Sequence, residues 1–370
     1  MVGTLKKLDK KFLIIAGCIM LLPIFIIIFL AIVQGCNGNV TYESYEEKMI
    51  SAAEKYFEEK DKVPTVEGEV ATVKLDKLVG GEYIKSTEKL LNDDSCKGEV
   101  KVRRNGSSVE INEGGFLNYT VTLDCDDYKT IHLADKITEN VVTEESGLYQ
   151  IGKGYVFRGN KIKNYLNLFD VSYRIMSIDE NGIIKLIKSE PEGSSRLWDN
   201  KFNTEVNTSS GKNIYKDSAI LTYLMSDYSN AKRVSKLTKQ KIVAYDVCVG
   251  KRSAKDYSIN KDLDCSEKLE KQVVSLMNAS DFAMASTDPE CVSTNSKSCR
   301  NYNYLSNVAS SGWTMNVLND NSYEVFYISD GLLKYQSANS YIEYNMIIYI
   351  DGNELYTQGT GSVNDPYIIN

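Results

Sequence analysis

Residues Phe12 to Val33, FLIIAGCIMLLPIFIIIFLAIV, carry no charged side chain. As a helix rising about 1.5 Å per residue, the run is roughly 33 Å long, which matches a bilayer's hydrocarbon core. A helix is also how one segment satisfies its own backbone groups away from water. Pro23 removes one N–H mid-run, which predicts a mild kink. We therefore expect a transmembrane helix over residues 12–34, in contact with membrane lipid. Lys6, Lys7, Lys10 and Lys11 precede it, offset only by Asp9, and such a positive flank faces the cytoplasm. Residues 1–11 are then a cytoplasmic tail, and everything from about Asn37 lies outside a single-pass cell-membrane anchor. A cleaved secretory signal competes with this reading, but its apolar region typically spans about 7–15 residues. A lipoprotein-type cleavage before Cys36, for which Val33-Gln34-Gly35-Cys36 is a loose match, would tether the same portion by a lipid.

The chain has a formal net charge of −7. Setting aside the tail's net +3 leaves −10 on the external part. Such an acidic ectodomain argues against nucleic acid and against flat docking on anionic lipid. Of the eight cysteines, Cys18 lies in the span and Cys36 at its edge. The remaining six permit 15 pairings. Their order in the chain suggests Cys96–Cys125, Cys248–Cys265 and Cys291–Cys299, and an exported location favours disulfides over free thiols. Metal binding has little support, because no CxxC pair occurs and His132 is the one histidine. No cofactor is implied.

Tyr42 to Lys60 has an amphipathic helical period, with Tyr42, Tyr45, Met49, Ala52 and Tyr56 on one face; that stripe reads as a packing face rather than a partner site. Leu75, Leu78 and Val79 predict a short helix stopped at Gly80-Gly81. Glu99 to Arg104 alternates like a strand. Asn105-Gly106 suggests a two-residue turn, Ser108 to Ile111 a returning strand and Phe116 to Leu123 a third. Asp126 to Ser146 is polar and charged, so residues 131–146 are assigned to a linker after a first α+β domain at 40–130. From Gly147 to Asn370 strand signals dominate. Hairpins are expected around Glu180-Asn181-Gly182 and Asp330-Gly331, and a helix capped by Asp217 or Ser218.

The first part, from the apolar helix through the small disulfide-bracketed sheet, resembles the type IV pilin and pseudopilin plan. The Gly-Phe-Thr-Leu-x-Glu peptidase signature is absent, so the resemblance implies a pilin-like domain on a permanent anchor. The second part contains Trp198-Asp199-x-x-Phe202-Asn203, then Val274-Ser-Leu276, Gly312-Trp313-Thr314-Met315-Asn316, and a Gly-Thr-Gly…Asn-Asp-Pro-Tyr ending. This order resembles uncharacterised surface domains of Gram-positive bacteria, related to the formylglycine-generating-enzyme and C-type-lectin-like fold. That resemblance implies a larger α+β domain with an antiparallel sheet over 147–370.

Formylglycine-generating enzymes use a late cysteine pair. Here Cys291 and Cys299 lie in a polar loop without the surrounding motif, so a structural disulfide is the preferred reading. Trp198-Asp199-Asn200 inverts a lectin sugar-binding tripeptide and reads as a buried Trp beside a loop-bracing Asp. Asp351-Gly-Asn353-Glu354 fits either a calcium loop or a β-turn. Neither a phosphate loop nor a Ser/His/Asp set occurs. The distal part is dense in tyrosine, and rings exposed around Trp313 would stack on sugars or peptide. The expectation is a non-catalytic bacterial surface protein binding a glycan or protein, with Trp313, Tyr302, Tyr304, Tyr327 and Tyr335 as the contact set. The alternatives are a structural envelope-assembly component and a thiol-dependent oxidative enzyme.

The topology yields a direct test. Protease added to intact cells should digest the portion beyond residue 39 as readily as in lysates; protection confined to intact cells would reverse the orientation.

Overall fold

The computed structural model describes residues 40–169 and 171–369. The tail 1–11 and the expected span 12–34 lie outside the described residues. Among those described, no helix is long and apolar enough to cross a membrane. The architecture is mixed α+β with mainly antiparallel sheets, and the buried apolar side chains form two clusters, a small one and a large one.

The small cluster begins with the helix Tyr42–Glu59. Thr41 and Ser44 cap it reciprocally, each hydroxyl accepting the other's backbone N–H. Of the expected stripe, Tyr45, Met49 and Ala52 are buried and Tyr42 and Tyr56 only partly so, while Ala53 and Phe57 complete the inner face. They pack on a three-stranded antiparallel sheet, Val70–Lys74, Lys97–Asn105 and Phe116–Asp124. Register pairs Val73 with Val100 and Val100 with Val121, so valines share the core face. Gly98 is required where the helix crosses, since a Cβ there would sit 2.7 Å from the Thr122 carbonyl and 2.9 Å from the Met49 methyl. Cys96 and Cys125 are bonded at the open end of this hairpin, as expected.

Two expectations for this part are corrected. Ser108–Asn112 is a helix, not a strand. Ser107 caps it and Glu110 reciprocates, so the return strand starts at Phe116, opposite Asn105. Residues 131–146 are not a free linker. Within them Leu133–Thr138 forms a helix, Leu133 and Ile137 enter the large core, and the Leu133 amide donates to the Glu354 carbonyl at 2.9 Å. The apolar pair at i, i+4 was masked by the surrounding charges.

The large core lies around an eight-stranded sheet. Ile347–Asp351, Ile183–Lys188, Val171–Ile178, Tyr165–Leu168, Tyr367–Ile369 and Tyr356–Gln358 follow one another across it, and the hairpin Gly147–Ile151/Gly154–Arg158 joins Val171–Ile178. Strands from both ends of the segment 147–369 thus share one sheet. Trp313 lies in a second, four-stranded sheet. The hairpins at Asn181-Gly182 and Asp330-Gly331 form as expected. Val273 to Met277 is buried and bridges the two sheets through Ser275–Ile347 and Met277–Thr314. The pairs Cys248–Cys265 and Cys291–Cys299 are both bonded.

The two parts meet through polar contacts. Arg103 pairs with Asp351 at 2.9 Å, and the Asn105 side chain donates to the Gln240 carbonyl at 2.7 Å. Glu110 takes Lys239 at 2.9 Å and the Tyr228 hydroxyl at 2.7 Å. Glu354 takes Lys241 at 2.8 Å and the Asn118 amide at 2.5 Å. Leu355 packs on the small core beside them.

Glu46 is buried on the inner face of the helix Tyr42–Glu59, where it accepts the Thr130 hydroxyl. Burial raises its pKa. A carboxyl raised in the folded state contributes stability below its unfolded pKa and loses it as pH rises through the folded one. Glu46→Gln should therefore stabilise the chain at neutral pH, with the gain vanishing below the usual glutamate range; melting curves across pH test this.

Candidate functional site

A cleft of about 1140 Å³ opens where the two parts adjoin. The hairpin turn Gly152-Lys153, the turn Asp179–Ile183, the strand Tyr245–Cys248 and the segment Ile259–Asp262 wall it, and Arg103, Asp351 and Asn353 close one side. A chamber of about 70 Å³ lies against the cleft and shares Asp179, Ile183, Tyr245, Cys248, Lys261 and Met284 with it. That volume holds about two waters.

Each wall has a local cause. Asp179 stabilises its own turn, with Oδ1 accepting the amides of Asn181 at 2.9 Å and Ile183 at 2.8 Å. Its Oδ2 accepts the Tyr245 hydroxyl at 3.0 Å. Burial and this carboxylate push the Tyr245 phenol well above its ordinary value, so it acts as a fixed donor. The Tyr245 ring stacks on Tyr349, centroids 4.4 Å apart. In the chamber Lys185 pairs with Asp281 at 2.5 Å, and Asp281 also accepts the Asn278 amide at 2.6 Å.

The opposite wall is the loop closed by Cys248–Cys265, organised around Arg252. This guanidinium is fully buried. It donates to Asp264 at 2.7 Å, the Ser280 hydroxyl at 2.7 Å and the carbonyls of Ser258 at 2.9 Å and Asn260 at 3.1 Å. Burial pushes the Asp264 carboxyl upward, and its hydrogen bond from Arg252 opposes this most strongly. The inner carboxylates are thus all engaged within the protein. At the mouth, Lys261, Lys268, Asp246 and Asp262 are exposed, and none is in an ion pair among the described residues.

The expected contact set does not converge. Trp313 is 1% exposed, its indole N–H donating to the Arg196 carbonyl at 2.9 Å and its ring edge-on to Tyr327. Tyr304 is 3% exposed beneath the Arg174 guanidinium, and it alone of the five lines the chamber. Tyr327 is half-buried, whereas Tyr302 and Tyr335 reach solvent. Trp313 and Tyr304 are therefore not presented to a ligand on the surface. Both neighbours of Trp313 in its strand are buried too, which removes the exposed face that alternation implies.

The remaining candidates have structural roles. Trp198 is buried and donates to the Thr314 carbonyl at 3.2 Å, while Asp199 accepts the Lys212 amide at 2.7 Å. Asp351 is occupied by Arg103 and by the Asn353 amides, so its segment is a bracing turn. Among the described residues one grouping, Asp93 with Cys96 and Cys125, brings three donor-type side chains close together. Its sulfurs are bonded to each other and so are not thiolate ligands.

Of the cleft residues, only Asp351 and Asn353, as a possible calcium loop or turn, and the Cys248–Cys265 pair were singled out from sequence. Lys185 was the available signal, a cation between Ile184 and Leu186 inside the strand Ile183–Lys188. Compared with family models, curated proteins and solved structures, the chain has no match in any of the three.

Removing Arg252 would leave Asp264 buried and unpaired. Arg252→Met should cost about 3–5 kcal/mol, and adding Asp264→Asn should recover part of that in chemical denaturation.

Proposed function

We propose that the chain is a membrane-anchored surface protein that binds rather than transforms its ligand, a protein segment lying in the cleft. The carrying observation is the cleft mouth, where exposed charges of both signs, Lys261 and Lys268 against Asp246 and Asp262, line the same cleft as Tyr245. A neutral sugar chain would gain little from full charges of both signs. A peptide carrying both would gain orientation and specificity from them. The exported setting rests on the apolar run 12–34, and the three disulfides are consistent with an oxidising compartment. A pilin-like membrane-proximal domain and a lectin-like distal domain remain part of this reading as resemblances. The alternative, an assembly component held through Tyr42 to Lys60, gains no support from that helix, because its apolar stripe already covers the sheet.

The test uses the detergent-solubilised full chain against intact cell-surface proteins and a glycan array. Binding to a protein should fall at least tenfold in Lys261→Glu/Lys268→Glu and stay unchanged in Tyr302→Ala/Tyr335→Ala. The reverse order would move the site to the tyrosine face, and glycan-only binding would discard the protein ligand.

A further inference from the structure

At the junction of the two parts, three side chains meet that together have the makings of a covalent bond. Lys241 Nζ, at the end of the helix Lys236–Lys241, lies 3.2 Å from Asn118 Oδ1 in the strand Phe116–Asp124. Glu354 bridges them, one oxygen 2.5 Å from Asn118 Nδ2 and the other 2.8 Å from Lys241 Nζ. Asn118 is 4% exposed and Glu354 1%, and the Lys241 side chain is 11% exposed. A pocket lined by Glu47, Ile50, Tyr119, Val121 and Leu355 reaches Glu354 alone of the three. An amine, a primary carboxamide and a carboxyl are thus held together with little water.

We infer that Lys241 and Asn118 form an intramolecular amide cross-link, with Glu354 as the proton carrier. A buried carboxyl favours its neutral form. For Glu354 the direction is upward, burial being the main cause and Asp351 adding to it, while Lys241 and Asn118 act against it. Passing one proton from Lys241 to Glu354 leaves a neutral amine, the nucleophilic form. Lys241 Nζ then attacks Asn118 Cγ, forming the C–N bond. Glu354 supports the developing tetrahedral centre, takes the proton shed by Nζ and returns a proton to Nδ2. The Cγ–Nδ2 bond breaks and ammonia leaves. The products are one secondary amide and one ammonia, and no oxidant, reductant or co-reactant is needed. Held contact of this kind replaces a bimolecular encounter.

The cross-link would tie the small sheet to the large part through a bond that neither reduction nor denaturation breaks. The Asn118-Tyr-Thr sequence is accordingly committed to the interior rather than to glycosylation.

Intact mass spectrometry of the purified full chain, after full reduction, is the test. The expected mass is short by one ammonia, and a tryptic digest should contain a branched peptide joining the Asn118 segment to one uncleaved at Lys241. Lys241→Arg and Glu354→Gln should each restore the unmodified mass. An unmodified mass in the wild-type chain overturns the inference. So does an ammonia loss without the branched peptide, as a succinimide at Asn105-Gly106 would give. Both wild-type readings hold whether or not the variants fold. A branched peptide persisting in Glu354→Gln would remove Glu354 from the chemistry.

Discussion

A carboxylate taken out of water must find partners or lose its charge, and Glu354 meets this constraint with residues from distant parts of the chain. Lys241 is 113 residues before it and Asn118 236 before it. Each partner comes from a different element, so the demand of one buried group fixes how three elements meet. Arg103 with Asp351, and Glu110 with Lys239 and Tyr228, extend the same polar seam. Such contacts contribute little net stability compared with apolar packing, but they permit few other arrangements. The result is a joint that is specific because it is polar.

That specificity carries over to the cleft. Asp351, which pairs with Arg103, and Asn353, which braces it, lie three residues and one residue before Glu354, and all three cleft-closing side chains sit at the joint. A change in the joint therefore reshapes one cleft wall. The opposite wall depends on Arg252 and the Cys248–Cys265 bond, and the cleft floor on the Asp179 turn. Three independently braced segments define one concavity, which is the arrangement expected of a preformed site.

How much of this could be read from sequence follows from the range of each interaction. The period of Tyr45, Met49 and Ala52, the turns at Asn181-Gly182 and Asp330-Gly331, and the Ser218 cap are local signals, and each produced the expected element. Cysteine order sufficed for all three pairings. Ser108–Asn112 was misread because strand-like Val109 and Ile111 outweighed the Ser107/Glu110 cap. Trp313 was misplaced for a subtler reason. Thr314 and Asn316 look like a solvent face, yet Thr314 donates to the Phe326 carbonyl at 2.8 Å and Asn316 to the Gly250 carbonyl at 2.9 Å, so both polar residues serve the interior. Glu354 was read only as part of a calcium loop or turn, and nothing local showed that it meets Lys241 and Asn118, since their proximity is set entirely by tertiary structure.

The position of the joint also bears on how a tethered molecule carries force. On the proposed reading the anchor precedes Tyr42 and the ligand sits in the cleft, so tension on a captured ligand passes through the contact between the two parts. Ion pairs and hydrogen bonds resist such tension only as long as they rebind faster than the parts separate, and water reaching Glu354 would weaken them further. The continuous backbone between Asp124 and Leu133 offers a second path, but it would be loaded only after the polar seam had opened. A covalent bond from Asn118 to Lys241 would instead bear the load at the seam itself, keep Glu354 buried and hold Arg103 against the cleft wall. The joint is therefore where chemical reinforcement would most effectively preserve the shape of the binding site.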